Sequence, residues 1–584
     1  MEIIDYLILA TYIILSIIIA LYYSKRSGKS TDEFFLSGRN LPWYFAGISL
    51  AATTFAVDTP LAVTELVAKN GISGNWVWWN FAFGGMLTVF FFARLWRRAG
   101  IMTEAEFSEI RYSGKPAKFL RGFRAVYLGL FMNVIIIGWV NKAMVSILTG
   151  LFSVSETQAI IYVFVCMLLV AAYSAMSGLW GVVVTDAFQF FLAMTGAIIL
   201  AVLVLDSPEV GGMIGLQEKL PDFIFNFFPS VGNSAETFGS ALSLSVLAFL
   251  AYIGLQWWAS WYPGAEPGGG GYAAQRMMSA KDEKHSLLAV LLFQVLHYAA
   301  RPWPWIIVGL ASLVLYPELT TENARMGYIF AMRDFLPTGL KGLLVAAFFA
   351  AYMSTIATHL NWGASYLMND VYKRFIVKTK SDKHYVSASR IITVLLMIIS
   401  IFVTLLITRI SGAWEFILQC GAGVGLVLIL RWYWWRINAW SEISAMIAPF
   451  LLLPITIQLG IIFPENLYFL VAGTSIIWIA VTFLTKPEPD FKLMEFYSII
   501  RPGGKLWKPI QLKLGIENEE GTNLLYMLFA WLFGVLLVYS MLFGIGSLIL
   551  NHITASIIYG ITSLIAIFGV YYFLNKEGWS KILK

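Results

Sequence analysis

Residues 41–68 read LPWYFAGISLAATTFAVDTPLAVTELVA. The stretch is long and apolar enough to cross a bilayer, whose roughly 30 Å of hydrocarbon needs about 20 helical residues. Yet Thr53, Thr54, Asp58 and Thr59 stand in its middle, closed by Pro60. Proline removes a backbone donor and turns the residue before it away from helix. Unwound backbone at membrane depth is tolerated only where protein buries it or where it lines a cavity. The reading is therefore a broken span, with carbonyls set free around residues 52–55.

A second interruption follows five spans later, where an apolar run ends in SWYPGAEPGGGGYAAQR, residues 260–276. Paired broken helices in corresponding halves of a bundle mark the central site of a transporter. The five-span offset is the one an inverted five-plus-five repeat demands. The glycines at 268–271 do not make a phosphate loop, because no GK[S/T] follows and no strand precedes them.

Composition agrees. Of 584 residues 59% are hydrophobic and 13% charged, with a mean hydropathy of +0.74, against about 25% charged in ordinary soluble domains. About fifteen apolar runs reach spanning length, near 4–23, 41–68, 75–97, 121–150, 157–176, 181–206, 239–262, 285–315, 338–372, 385–408, 412–434, 442–462, 466–485, 523–547 and 554–575. The first follows Glu2 and Asp5 rather than a basic stretch and lacks a small-residue cleavage site, so it reads as a retained helix. The two cysteines, Cys166 and Cys420, lie inside apolar runs and support neither a disulfide framework nor a zinc site. The net charge of +6 is no nucleic-acid signal, because the basic residues crowd into alternate connections. Lys25, Arg26, Lys29 and Arg39 fill the first. Arg94, Arg97, Arg98, Arg111, Lys115, Lys118, Arg121 and Arg124 follow the third span, and Arg276, Lys281 and Lys284 the seventh. That bias sets the N-terminus outside and the C-terminus in the cytoplasm. The connection 487–521 is too short for a catalytic module.

Three constellations carry possible chemistry. In AAFFAAYMSTIATHLNWGASYLMND, Ala351, Ser354, Thr355 and Thr358 fall on one helical face. Their oxygens suit a hard cation such as sodium, although Ser and Thr in membrane helices also bond back to their own backbone. Asp186, in GLWGVVVTDAFQ, is either a functional intramembrane carboxylate or a helix-entry residue meeting local donors. His297 and Arg301 share a face ahead of Pro302 and Pro304. A guanidinium at that depth needs an anion, from Asp58 or another protein carboxylate, or from a solute. The aromatic groups Trp76, Trp78, Trp79, Trp257, Trp258, Trp261 and Tyr262 either stack on a flat solute or, for most of them, sit at the membrane interface. The histidines at 285, 297, 359, 384 and 552 are too scattered for an intramembrane enzyme, and no signalling module supports a sensor. A proton-coupled carrier using Asp58, Asp186 and His297 is the nearest rival mechanism.

Taken together, FFLSGRNLPWYFAGISLAATTFA, SGLWGVVVTDAFQ, AAQRMMSAKDEKHS and AAYMSTIATHLNWGASYLMNDVY resemble the sodium:solute symporters over residues 30–435. The resemblance implies an all-α polytopic fold with an inverted five-plus-five, LeuT-like core. Residues 1–40 hold an extra N-terminal helix and a basic loop, 41–206 and 239–435 the two repeats, and 436–584 about four further helices. It implies a sodium site from the carbonyls of Ala52, Phe55 and Ala351 and the hydroxyls of Ser354 and Thr355. A second sodium would take Asp186, Ser354 and Thr358, but Ala357 stands where that site expects a serine. The solute pocket would fall at Thr54, Asp58, Thr59, Asn80, Gln256, Trp258, Trp261, Tyr262, His297 and Leu418 or Gln419, with Arg301 added from the reading above. Trp261 or Tyr262 would form the inner gate. Departures stand at Asp58, Thr59 and His297, where the sugar transporters carry Glu, Gln and Lys. The expectation is sodium-driven symport, not an enzyme reaction, of a sugar, sugar acid or amino acid across a bacterial inner membrane. Arg301 tilts it toward a solute with a carboxylate.

Overall fold

The computed structural model describes residues 2–229, 246–260, 268–320, 323–407, 410–516 and 523–577. Among these the regular structure is helical, apart from one parallel bridge between Leu41 and Ala280. In chain order the helices used below are α1 (Ile3–Ser27), α2 (Trp43–Thr53), α3 (Thr59–Asn70), α4 (Ile72–Ala99), α5 (Gly114–Phe152), α6 (Glu156–Met176), α7 (Gly178–Leu205), α8 (Leu247–Ala259), α9 (Gly271–Ser279), α10 (Glu283–Leu315), α11 (Leu340–Ile376), α12 (Asp382–Leu406), α13 (Ala413–Cys420), α14 (Val424–Tyr433), α15 (Ala439–Gln458), α16 (Asn466–Leu484), α17 (Leu524–Ile549) and α18 (Ile553–Lys576).

Twelve of these are long and apolar enough to cross a membrane unaided, and α13 with α14 forms a thirteenth span bent by 45°. Of the remaining two of the fifteen expected runs, one is broken and one lies partly outside the described residues. Residues 41–68 divide into α2 and α3, neither long enough alone. The run at 239–262 is described only as the short α8.

The break between α6 and α7 falls at Gly178 (φ +59°, ψ −162°). A Cβ there would lie 2.8 Å from the carbonyl oxygen of Phe34, so both the backbone angle and the close approach require glycine. In α10 the break is different. Pro302 and Pro304 have no N–H to give, and residues 295–300 widen into a π turn, with the Arg301 N–H reaching Leu296 O at 3.2 Å, five residues back. Such π turns recur at functional sites.

Burial grades from the centre outward. The most apolar window of α11 is 94% inside the protein and that of α18 17%. Helix α11 packs on α7 and α12, and α1 on α7. The α17–α18 hairpin lies against α10 and α4, where Trp303 Nε1 donates to Leu542 O at 3.1 Å and Tyr539 Oη to Trp79 O at 2.8 Å. These added helices brace the spans that carry the candidate site.

The basic residues at the helix ends are not a solvated face throughout. Arg94, Arg111, Arg121, Arg124, Arg276 and Arg431 are buried. Arg124 and Arg431 share two buried carboxylates, Glu104 and Glu442. Arg124 Nη1 meets Glu442 at 2.8 Å, Arg431 meets Glu442 and Glu104 at 3.3 Å each, and Arg124 also pairs with Glu104. Tyr112 Oη donates to Glu442 at 2.5 Å, and the Gly271 N–H to Glu104 at 3.0 Å. The cluster ties α5, α14 and α15 to the loop before α5 and to the start of α9.

Candidate functional site

Helix α2 stops because its polar centre cannot continue as helix into Pro60. The Phe55 N–H still reaches back to Ala51 O and Ala52 O at 3.1 and 3.0 Å, and the chain re-enters helix where Asp58 O accepts from the Ala62 N–H at 2.8 Å. Residues 54–58 between them are unwound. The Thr54 hydroxyl bonds back to Leu50 O and Ala51 O at 3.0 and 3.1 Å.

Arg301 closes this open helix end. It is fully buried, and it donates to Ala51 O, to Thr54 O at 2.9 Å, to Thr54 Oγ1 at 3.3 Å and to His297 Nδ1. Its guanidinium carbon lies 5.5 Å from the ring centre of Phe55 and 5.2 Å from that of Trp305. No carboxylate among the described residues lies within ion-pair distance. Among the described residues the anion expected for Arg301 is thus neither Asp58 nor another carboxylate. The carbonyl-rich, partially negative end of α2 takes that place.

The hydroxyl face of α11 does not bond back to its own helix. Thr355 Oγ1 donates to Thr53 O at 2.9 Å, bringing α11 to the break. Ser354 Oγ donates to Asp186 Oδ1 at 2.7 Å, and Ser49 Oγ meets the other carboxylate oxygen. Thr358 Oγ1 lies 3.0 Å from Thr53 Oγ1. Ser354, Thr355 and Thr358 therefore bring the face of α11 to α7 and to the residues just before the break in α2.

Arg276 also lies there. The sequence placed it in a basic connection, but it is fully buried, 2.8 Å from Thr358 Oγ1 and 3.7 Å from Asp186 Oδ2. Asp186 is thereby a core residue of an ion pair rather than a helix-entry cap. The glycine run and the lysines around Arg276 gave it the local composition of a loop, which concealed its burial.

Beside the break lies a cavity of about 100 Å³, lined among others by Thr54, Asp58, Thr59, His297, Leu418 and the aromatic rings of Trp78, Trp139, Tyr298 and Trp414. Asp58 is 2% exposed, and its Oδ1 has no hydrogen-bond partner. Because Arg301 donates to Nδ1 of His297, the imidazole keeps its proton on Nε2. The cavity thus offers a carboxylate acceptor and an imidazole donor inside an aromatic wall.

Other predicted residues stand back from it. Asn80 and Gln256 both donate to Val77 O at 2.9 Å, and Val77 lines the cavity. Trp258 donates to Gly254 O and packs near Ala422 and Leu467. Gln419 accepts from Asn466 at 2.6 Å, leaving Leu418 to face the cavity. Arg301 lies behind His297 and does not line it. Trp261 and Tyr262 lie outside the described residues. Trp76 and Trp79 are core residues, and Trp78 lines the cavity, so the membrane-interface reading of these three does not hold. Trp139, Tyr272, His359 and Trp414 line the cavity without having been singled out for it; only their aromatic character marked them.

The sequence model of the sodium:solute symporter family matches residues 34–448. A sodium/glucose cotransporter of Vibrio parahaemolyticus is 25% identical over 513 residues, covering 83% of this chain and 91% of that one. The sodium/sialic acid symporter SiaT of Proteus mirabilis is 24% identical over 418 residues, covering 68% and 77%. A solved structure of a Na⁺-coupled sialic acid symporter, substrate-bound and outward-open, superposes with a TM-score of 0.66 at 20% identity, covering 84% of this chain and 99% of that one. This likeness establishes the fold, the inverted-repeat core with added helices.

Proposed function

This chain belongs to the sodium:solute symporter family and is a multi-pass, sodium-coupled membrane protein; on that premise we propose how it binds its ion and what kind of solute it carries. Sodium, the co-transported ion, binds between the broken end of α2 and the face of α11. The carbonyls of Ala52, Phe55 and Ala351 and the hydroxyls of Ser354 and Thr355 hold it. These are all hard oxygen donors, and the Thr355 to Thr53 bond already links the two elements. Bound there, sodium favours one arrangement of the two helices over the other. It can shift that equilibrium only by its difference in affinity for the two states. The membrane potential adds about 2.3 kcal/mol per charge per 100 mV.

Asp186 and Thr358 are already engaged by Arg276, which supports one sodium per cycle rather than two. The basic bias of alternate connections supports an outside N-terminus and a cytoplasmic C-terminus, and the bacterial relatives support an inner-membrane site.

The unpartnered Asp58 oxygen carries the reading of the solute. A buried acceptor without a partner is costly, so the solute brings it a donor, a hydroxyl or an ammonium. The His297 Nε2–H asks for an acceptor in return. A sugar or an amino acid supplies both. Arg301 does not recognise a solute carboxylate, because it stands behind His297 and does not line the cavity.

The test is thermal stability of the purified protein in sodium against potassium, across neutral sugars, sugar acids and amino acids. Stabilisation by sodium, deepened by a hydroxyl- or ammonium-bearing solute and weakened in Asp58→Asn, is the expected result. The double variant Ser354→Ala, Thr355→Ala should need at least about tenfold more sodium, the change that 1.4 kcal/mol of lost ligation produces. An unchanged sodium midpoint in that folded variant would remove the site.

A further inference from the structure

Resting on the sodium-symport reading, we infer that Arg301 is a positioning residue that couples the solute-facing His297 to the ion-binding end of α2. Its contacts fall into two groups. On one side it donates to Ala51 O, Thr54 O and Thr54 Oγ1 and lies over the ring of Phe55. That backbone run also carries the Ala52 and Phe55 carbonyls proposed for sodium. On the other side it donates to His297 Nδ1, one helical turn earlier in α10; that nitrogen also lies 3.2 Å from Thr54 Oγ1, and both His297 and Thr54 line the cavity.

A single planar guanidinium therefore spans both sites, and its fork fixes the two directions together. The His297 ring cannot shift toward a solute without changing the donors presented to the carbonyls of residues 51–54. Nor can those carbonyls turn toward an ion without moving the guanidinium. Burial strengthens each of these bonds, because no water competes for the donors.

The local sequence explains the arrangement. The π turn at 295–300, directly ahead of Pro302 and Pro304, sets His297 and Arg301 toward the break in α2. That no carboxylate among the described residues meets Arg301 is equally informative. A guanidinium locked to Asp or Glu would be a fixed strut, whereas one held by an unwound segment moves with that segment. By linkage, whatever sodium does to solute affinity the solute does to sodium affinity.

The test needs no identified solute, since sodium alone is the probe. Amide hydrogen exchange is followed for peptides covering 51–58 and 295–301 of the full chain in lipid nanodiscs, in sodium and in potassium. In the wild type sodium should slow exchange in both peptides by at least about fivefold, the lower end of ordinary coupling factors. In Arg301→Gln the slowing at 51–58 should persist and that at 295–301 should disappear. Arg301→Lys keeps the charge but not the fork, so it should lose the transmitted slowing too; it serves where the glutamine variant fails to fold. Wild-type slowing at 51–58 without any at 295–301 overturns the coupling alone, as does slowing at 295–301 that survives in Arg301→Lys. No sodium effect at 51–58 in the wild type overturns the sodium site itself, and the coupling with it.

Discussion

Arg124 and Arg431 are buried as deeply as Arg301, yet their charges are met in the opposite way. At the end of the bundle two guanidiniums face two carboxylates, Glu104 and Glu442, with Tyr112, Tyr366 and the Gly271 N–H filling the remaining acceptor positions. In the middle of the bundle Arg301 meets peptide carbonyls, a hydroxyl and a neutral imidazole. The first arrangement is closed: formal charges cancel, and the members come from six separate segments. The second draws on the break in α2, where Thr54 O is open to Arg301 while Ala51 O accepts from it beside its helical bond to the Phe55 N–H. The difference separates a fastening from a moving part.

The comparison is tested hardest at the fastening. Glu104→Gln leaves Arg124 and Arg431 facing one carboxylate in a buried setting. Breaking such a network by removing one partner costs about 3–5 kcal/mol. Thermal or denaturant unfolding in nanodiscs should record that loss, while the surviving folded fraction keeps the wild-type sodium midpoint. A variant that unfolds normally but has lost its sodium response would place the coupling in the wrong cluster.

Acid should loosen the same fastening. Burial alone would push the Glu104 carboxyl up, but Arg124 and Arg431 hold it below the usual carboxylate range. A carboxylate whose value is depressed by folding adds stability that is complete above its unfolded value, about 4.3 for Glu, and is lost as pH falls through the folded one. Melting temperature should therefore show no pH dependence from Glu104 between pH 7 and pH 5, where its contribution is complete, and a decline below about pH 4.3. In Glu104→Gln that part of the decline should be missing. An unaltered acid limb would mean that Glu104 is not the titrating partner.

Much of this contrast was legible in the sequence, but unevenly. The broken span announced itself through Thr54, Asp58 and Pro60, and the hydroxyl face of α11 through its spacing. Among the described residues the spans match the apolar runs except at 41–68, because a window of apolar residues does not register a break such as that between α2 and α3. What the sequence hid was partnership. Carbonyls have no letter of their own, so nothing in the string said that the end of α2 would receive Arg301. Instead the residue suggested a carboxylate and an acidic solute. Gln419 and Leu418 are adjacent, about 100° apart around a helix, and the packing of α16 decided which of them faces the cavity. Arg276 and Arg124 resembled loop residues because flanking lysines and glycines set the local composition, while tertiary packing set the burial.

The smallest effect belongs at the surface. Arg333 and Asp334 make a short pair, 2.6 Å from Nε to Oδ1, with 47% and 36% of their side chains exposed. Tyr316 Oη donates to the same carboxylate at 3.0 Å. Judged by distance alone, this pair ranks above most contacts in the Glu104 cluster. Water solvates both partners before and after the bond breaks, however, so Asp334→Asn should cost no more than about 1 kcal/mol. Unfolding of this variant beside Glu104→Gln at equal ionic strength makes the comparison direct. Added salt should shrink the Asp334 effect further, since screening reaches exposed charges and hardly enters the buried cluster. Equal losses in the two variants would mean that contact length rather than burial sets the worth of these ion pairs, and the distinction between a buried fastening and a surface bond would fall.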